Sequence, residues 1–152
     1  MFCALLLLLV THCAVAVPHN VNVQAANKEA EPVVDALKAR LSGTERYQVV
    51  SDTIAELTIH VLCEDSEQYK VRGAVCSYSF SYFHPLTPVL RIPIGEGVGL
   101  VSSSERARIG EMLFQSFVEA TTERKILDAR ASVEFSIALF CVKSENAKTC
   151  GR

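Results

Sequence analysis

The sequence has no surplus of charge: 15 lysines and arginines stand against 17 aspartates and glutamates, a net of −2 over 152 residues. The charges are mixed along the chain, with neither a basic nor an acidic tail. A nucleic-acid or anionic-lipid surface needs a basic patch, so those partners are set aside. Several motifs are also missing. No CxxC or HxxxH occurs, so nothing has the close ligand spacing of a zinc site. No serine sits in GxSxG. The glycines of "GEGVG", Gly95 to Gly99, match neither GxGxxG nor GxxxxGK[ST]. No apolar run approaches the ~20 residues that cross a bilayer as a helix, and no internal repeat is visible.

What the chain does contain begins with "MFCALLLLLVTHCAVAVPH". Ala4 to Val10 are continuously apolar, and Ala14-Val15-Ala16 has the small-x-small pattern of a signal-peptidase site. The expectation is a signal peptide over 1–16, cleaved after Ala16, and a protein that is secreted or periplasmic. No lysine or arginine precedes the apolar run, which leaves an uncleaved anchor as the alternative and the only membrane attachment expected. Beyond the leader remain Cys63, Cys76, Cys141 and Cys150. An even number of cysteines in an exported chain reads first as disulfides. Metal ligation and free thiols are the rival readings.

Residues 17–30 are polar and read as a flexible lead before a single domain over 31–152. "EPVVDALKARLSG" places Val33, Val34, Leu37 and Leu41 at helical spacing, with Pro32 suited to a first turn and Gly43 to a left-handed stop. "RYQVVS" reads as a short strand. "AELTIHVLCED" alternates, with Leu57, Ile59, Val61 and Cys63 on one face and Glu56, Thr58, His60 and Leu62 on the other. "AVCSYSFSYFH" alternates again: Cys76, Tyr78, Phe80 and Tyr82 oppose Ser77, Ser79 and Ser81. The two form an antiparallel hairpin with one dry and one wet face. Pairing them across 65–73 brings Cys63 opposite Cys76. A helix is expected from about Ser104 to Leu127, burying Ile109, Met112, Leu113, Phe117 and Ala120. "ASVEFSIALFCVK" reads as a last strand with Val133, Phe135, Ile137, Leu139 and Cys141 inward. A bond from Cys141 to Cys150 would then pin the tail. Four cysteines allow three connectivities, and sequence leaves the other two open. The expected fold is α+β: one antiparallel or mixed sheet of about four strands, with two helices on one face.

The stretch from His84 to Val101 carries Pro85, Pro88 and Pro93 and then Gly95, Gly97 and Gly99. It reads as a long loop: a mobile connection, a partner-binding loop made by Pro93, Gly95, Gly97, Gly99 and Arg106, or an anion cradle before a helix. No catalytic residue is assigned. His19 lies in the lead, His60 on a polar strand face and His84 before a proline. Glu64 and Asp65 sit at a hairpin turn, and Tyr78, Phe80 and Tyr82 read as core before they read as a ligand platform. No metal and no cofactor is called for.

The segment "VVDALKARLSGTERYQVVSDTIAELTIHVLCED", a helix ending in Leu-Ser-Gly followed by a short and then a longer strand, resembles small bacterial envelope α/β domains of the TolB N-terminal and CsgG-like type. That resemblance implies a partner-binding module and transfers no individual residue. The expected function is an exported, disulfide-stabilised, non-catalytic binding module of the envelope or extracellular space, its partner another protein there. The alternatives are a small secreted hydrolase with a dispersed site and a secreted inhibitor acting through 84–101.

Overall fold

A computed structural model describes residues 17–51, 55–65, 73–84, 87–101 and 106–143. The chain runs β1 (His19–Ala25), α1 (Glu31–Ser42), β2 (Tyr47–Val49), β3 (Leu57–Asp65), β4 (Ala74–His84), β5 (Thr87–Val101), α2 (Arg106–Ala120) and α3 (Glu123–Lys143). The strands form one mixed sheet in the order β2-β1-β3-β4-β5. β1 is parallel to both β2 and β3, whereas β3, β4 and β5 run antiparallel in sequence. The α+β class and mixed sheet are as expected; the described residues hold five strands and three α-helices in place of about four and two.

The central hairpin follows its sequence pattern. Leu57, Ile59, Val61 and Cys63 are fully buried, and Cys76, Phe80 and Tyr82 nearly so. They meet Val33, Val34, Leu37 and Leu41 of α1 and Leu113 and Phe117 of α2 in one core. Cys63 faces Cys76 in the register and is disulfide-bonded to it. Cys150 and the side chain of Cys141 lie outside the described residues, so the second expected bond does too. α1 has its proline in the first turn. Gly43 ends it at φ −81°, without the left-handed conformation the sequence suggested.

Several expectations are overturned. Residues 17–30 are not a flexible lead: His19–Ala25 form β1 inside the sheet, with Val21 and Val23 buried. Asn27 then caps a short 3-10 turn by accepting from the Ala30 N–H, and its amide donates to the Cys63 carbonyl at 2.5 Å. The presumed last strand is the second half of α3. Buried Ile126, Ala129 and Val133 and partly buried Ile137 recur at spacings of three and four, which is a helix stripe. Phe135 and Leu139, expected inside, are 65% and 44% exposed. The expected helix 104–127 is divided at Thr121 and Thr122. Thr121 bonds back to the Phe117 carbonyl at 2.7 Å, and Thr122 accepts from the Lys125 N–H at the start of α3. Within α2, Met112 is exposed and Phe114 is buried in its place, beneath the Arg40 guanidinium.

A further correction concerns 84–101. Most of that presumed loop is β5, paired with β4 along its length apart from a register shift at Phe80/Ser81 and another near its start. β5 is an edge strand, where proline is tolerated because one side of the backbone has no ladder to break. Its glycines share the core face with Cys76, Tyr78 and Phe80, their partners in the register. A methyl group on Gly95 would stand 3.0 Å from the Phe80 ring and 3.2 Å from the Ala120 methyl; one on Gly97 would stand 2.5 Å from Tyr78 Cζ. The glycines thus leave room for rings that lie across the neighbouring strand. They are neither a hinge nor a phosphate cradle.

No helix among the described residues is long and apolar enough to cross a membrane.

Candidate functional site

All three helices pack on one face of the sheet, and the other face carries the polar half of each alternation. Two cross-strand rows dominate that face. Leu62, Ser77 and Val98 stand side by side on β3, β4 and β5; His60, Ser79 and Glu96 form the adjacent row, extended onto β1 by Gln24. In both rows a small serine on β4 is flanked by larger side chains on its neighbours, about 10 Å apart across two strand spacings. The result is an open groove of about 620 Å³ along β4, floored by Ser77 and Ser79 and walled by His60, Leu62, Glu96 and Val98. Val98 is 73% exposed and Leu62 39%, so one end of the groove presents apolar surface to water.

The charges in the groove are unequal in their engagement. The Arg91 guanidinium donates to His60 Nε2 and lies over the Phe83 ring, 5.3 Å from its centroid. Because arginine only donates, His60 accepts at Nε2 and its neutral form carries the proton on Nδ1. Burial first, and the Arg91 charge second, hold its pKa below the ordinary 6.5. His60 is therefore neutral near pH 7. No ion pair engages Glu96 among the described residues.

The groove is bordered by the free edge of β5, and the backbone geometry shows which groups that edge offers. The Cα atoms of Cys63 and Cys76 are 4.0 Å apart, the close spacing of a non-hydrogen-bonded antiparallel pair. The Phe83 N–H donating to the Glu56 carbonyl at 2.8 Å fits the same alternation. Ser77 and Ser79 therefore bond towards β3, while Cys76, Tyr78 and Phe80 bond towards Gly99, Gly97 and Gly95. It follows that the peptide groups of Glu96 and Val98 point away from β4, on the side where β5 has no strand neighbour among the described residues. Their side chains line the groove. One short segment thus presents both unpaired main-chain groups and groove-facing side chains.

A second polar cluster lies at the other end of β3. Here His19 Nδ1 meets Glu56 at 2.8 Å and Nε2 meets Glu123 at 3.3 Å; Arg130 bridges Glu56 and the Tyr82 hydroxyl, each at 3.3 Å. Tyr82 and Glu56 hold the Arg130 guanidinium charged to above its ordinary pKa. Tyr47 shares a 2.6 Å hydrogen bond with Thr121, and Arg46 donates to the Thr121 carbonyl. These residues tie the α2–α3 junction and the start of α3 to the sheet. His19, placed in a lead by the sequence, is a member of this tie.

The remaining candidates are scattered. His84 is buried, 3.9 Å from Glu134. Glu64 and Asp65 are exposed at the end of β3. Tyr78, Phe80 and Tyr82 are on the core side, with Phe80 packed on Phe117 at 5.2 Å. Pro93 is exposed on β5, whereas Gly95, Gly97 and Gly99 turn towards the helices; Arg106 opens α2, its side chain outside the described residues. The presumed partner-binding loop is therefore divided between two faces of the sheet, and the inhibitor reading loses its loop. Among the described residues no three His, Cys, Asp or Glu side chains gather as a metal site. Sequence reasoning passed over Glu96, Val98 and Arg91. Their signal was the alternation of "RIPIGEGVGLV", hidden because its inward positions are glycine. No known protein family matches this chain, and comparison with curated proteins yields no match either.

Proposed function

We propose that the protein is an exported, disulfide-stapled binding module of the cell envelope or extracellular space, acting on another protein by non-covalent recognition. The observation that carries this reading is a sheet face that no other element covers among the described residues, with its groove beside the edge of β5, which has no strand neighbour among them. An exposed edge invites an added strand, and the adjoining pockets provide selectivity. Export is supported by the leader pattern, by the Cys63–Cys76 bond, which suits an oxidising compartment, and by β1 starting after the expected cleavage point. The resemblance to envelope partner-binding domains points the same way.

The test is site-directed. A photo-crosslinking residue at position 98, introduced in the protein's own host, identifies what lies against the groove; the same residue at exposed position 45 is the control. Binding of the purified partner is then measured with Ser79→Trp, which fills the groove without touching the core face. A weakening of more than about tenfold, with an unchanged melting curve, is the expected result. Equal affinity would remove the groove from the account.

A further inference from the structure

We infer that the partner supplies an extended segment that adds as a sixth strand outside β5, with a lysine or arginine opposite Glu96 and a large apolar residue two positions away opposite Val98. This rests on the reading of the groove and edge as a partner-binding surface, and it names the chemistry that surface selects. Backbone pairing comes first. The outward peptide groups belong to Glu96 and Val98, so an added strand pairs with those residues, and its partner side chains fall on the open face of the sheet. The two positions differ in what they accept. Val98 is exposed and apolar, and beyond it the floor drops to Ser77 before rising to Leu62. A large apolar side chain directly opposite would pack on Val98 and close that end of the groove to water. Opposite Glu96 an apolar side chain would strip water from a carboxylate and return nothing. An acid there would face it directly, which is unfavourable across strands.

Among the described residues, a cation is what the position lacks. Arg91 is committed to His60 and Phe83, five residues away along β5 and beyond the register shift. His60, in the same row as Glu96, stays neutral and so adds no opposing charge. A lysine or arginine stem can lie along the sheet while its head reaches the carboxylate. The Ser79 hydroxyl, between Glu96 and His60, can accept a further donor. A second copy of this chain fits less well, because the segment it would offer is β5 itself, with an acid and a valine between glycines.

The experiment uses the purified, disulfide-bonded protein and three synthetic peptides: acetyl-Thr-Val-Thr-Lys-Thr-Phe-Thr-amide, and the same sequence with Glu or norleucine in place of Lys. Amide exchange and chemical shifts of Glu96 and Val98 report edge pairing, and titration gives relative affinity. The lysine peptide should slow exchange at both amides and bind about fivefold or more tightly than the glutamate peptide. Glu96→Lys should invert that order, and Glu45→Gln should leave it unchanged. If all three peptides protect β5 equally, the edge reading stands and the charge assignment falls. If none perturbs β5 or the groove at millimolar concentration, both fall together. Sedimentation as a dimer that Glu96→Lys dissolves would assign the edge to a second copy and overturn the inference.

Discussion

Replacing Gly97 with alanine should destabilise the protein, whereas the same change two residues on, at Gly99, should stabilise it. Glycine inside a strand costs about 0.5–1 kcal/mol relative to alanine through its extra unfolded-state freedom, so both substitutions begin with that gain. At Gly97 the new methyl would stand 2.5 Å from Tyr78 Cζ. The Tyr78 ring would have to swing away, giving up its stacking on Phe80 at 5.0 Å and its 3.5 Å contact to the Ser116 hydroxyl. Overpacking of this kind costs about 1–3 kcal/mol, and the stacked pair about 0.5–1.5 kcal/mol. The net loss expected for Gly97→Ala is about 1–2 kcal/mol. A Cβ at Gly99 has nothing within 4 Å and points into a cavity of about 60 Å³ beside Ile109 and Leu113. Its gain should survive. In a Tyr78→Ala background the obstruction is gone and Gly97→Ala should become stabilising, giving a coupling energy of about 2 kcal/mol. Urea titrations of the wild type and the four variants measure all of this. Equal stability of the Gly97 and Gly99 variants would refute the packing of rings over β5 and return 93–101 to a loop.

Other substitutions probe other parts of the fold. Replacing both Cys63 and Cys76 with alanine opens a bridge spanning 13 residues, and denaturation should show a loss of roughly 2–4 kcal/mol; an unchanged curve would contradict the bond. A Cβ at Gly110 would stand 2.7 Å from the Ala36 methyl and 3.3 Å from α1 backbone atoms, so Gly110→Ala should force α1 from α2 and cost about 1–3 kcal/mol despite the better helix propensity. His60 has a folded pKa below its unfolded value, so the unfolded chain binds the proton more readily. Its contribution to stability is intact above about pH 6.5 and falls as pH drops below that towards the folded pKa. Relative to His60→Gln, the wild type should therefore lose more in Tm between pH 7.5 and 5.5, and parallel losses would contradict the assignment.

The sequence was most legible where one face of an element is apolar and its neighbours are antiparallel and near in the chain. Leu57 to Cys63 and Cys76 to Tyr82 alternate plainly, and their register could be set by the two cysteines. β1 was opaque for the opposite reason. Its partners β2 and β3 are parallel and distant in sequence, so no turn residue announces it, and Asn20, Asn22 and Gln24 dilute Val21 and Val23. β5 was hidden by residues whose intrinsic preference is against strands. Proline survives there because the edge has no ladder, and the glycines because Tyr78 and Phe80 supply the missing side chains from β4. Residues 131–143 satisfy two periods at once. Helical packing prevails because Ile126, Ala129, Val133 and Ile137 form one stripe, and no glycine or proline interrupts the chain from Glu123 to Lys143. The groove could not be read at all without β5, since half of its wall is Glu96 and Val98.

The measurement that tests the account most directly is amide hydrogen exchange along β5, compared between the isolated protein and the protein bound to the partner cross-linked through position 98. Strand addition at the free edge predicts strong new protection at Glu96 and Val98, with Gly95, Gly97 and Gly99, already bonded to β4, changing little. Unchanged exchange at Glu96 and Val98, with protection gained on the helices instead, would place the partner on the other face of the molecule and contradict the binding site described above.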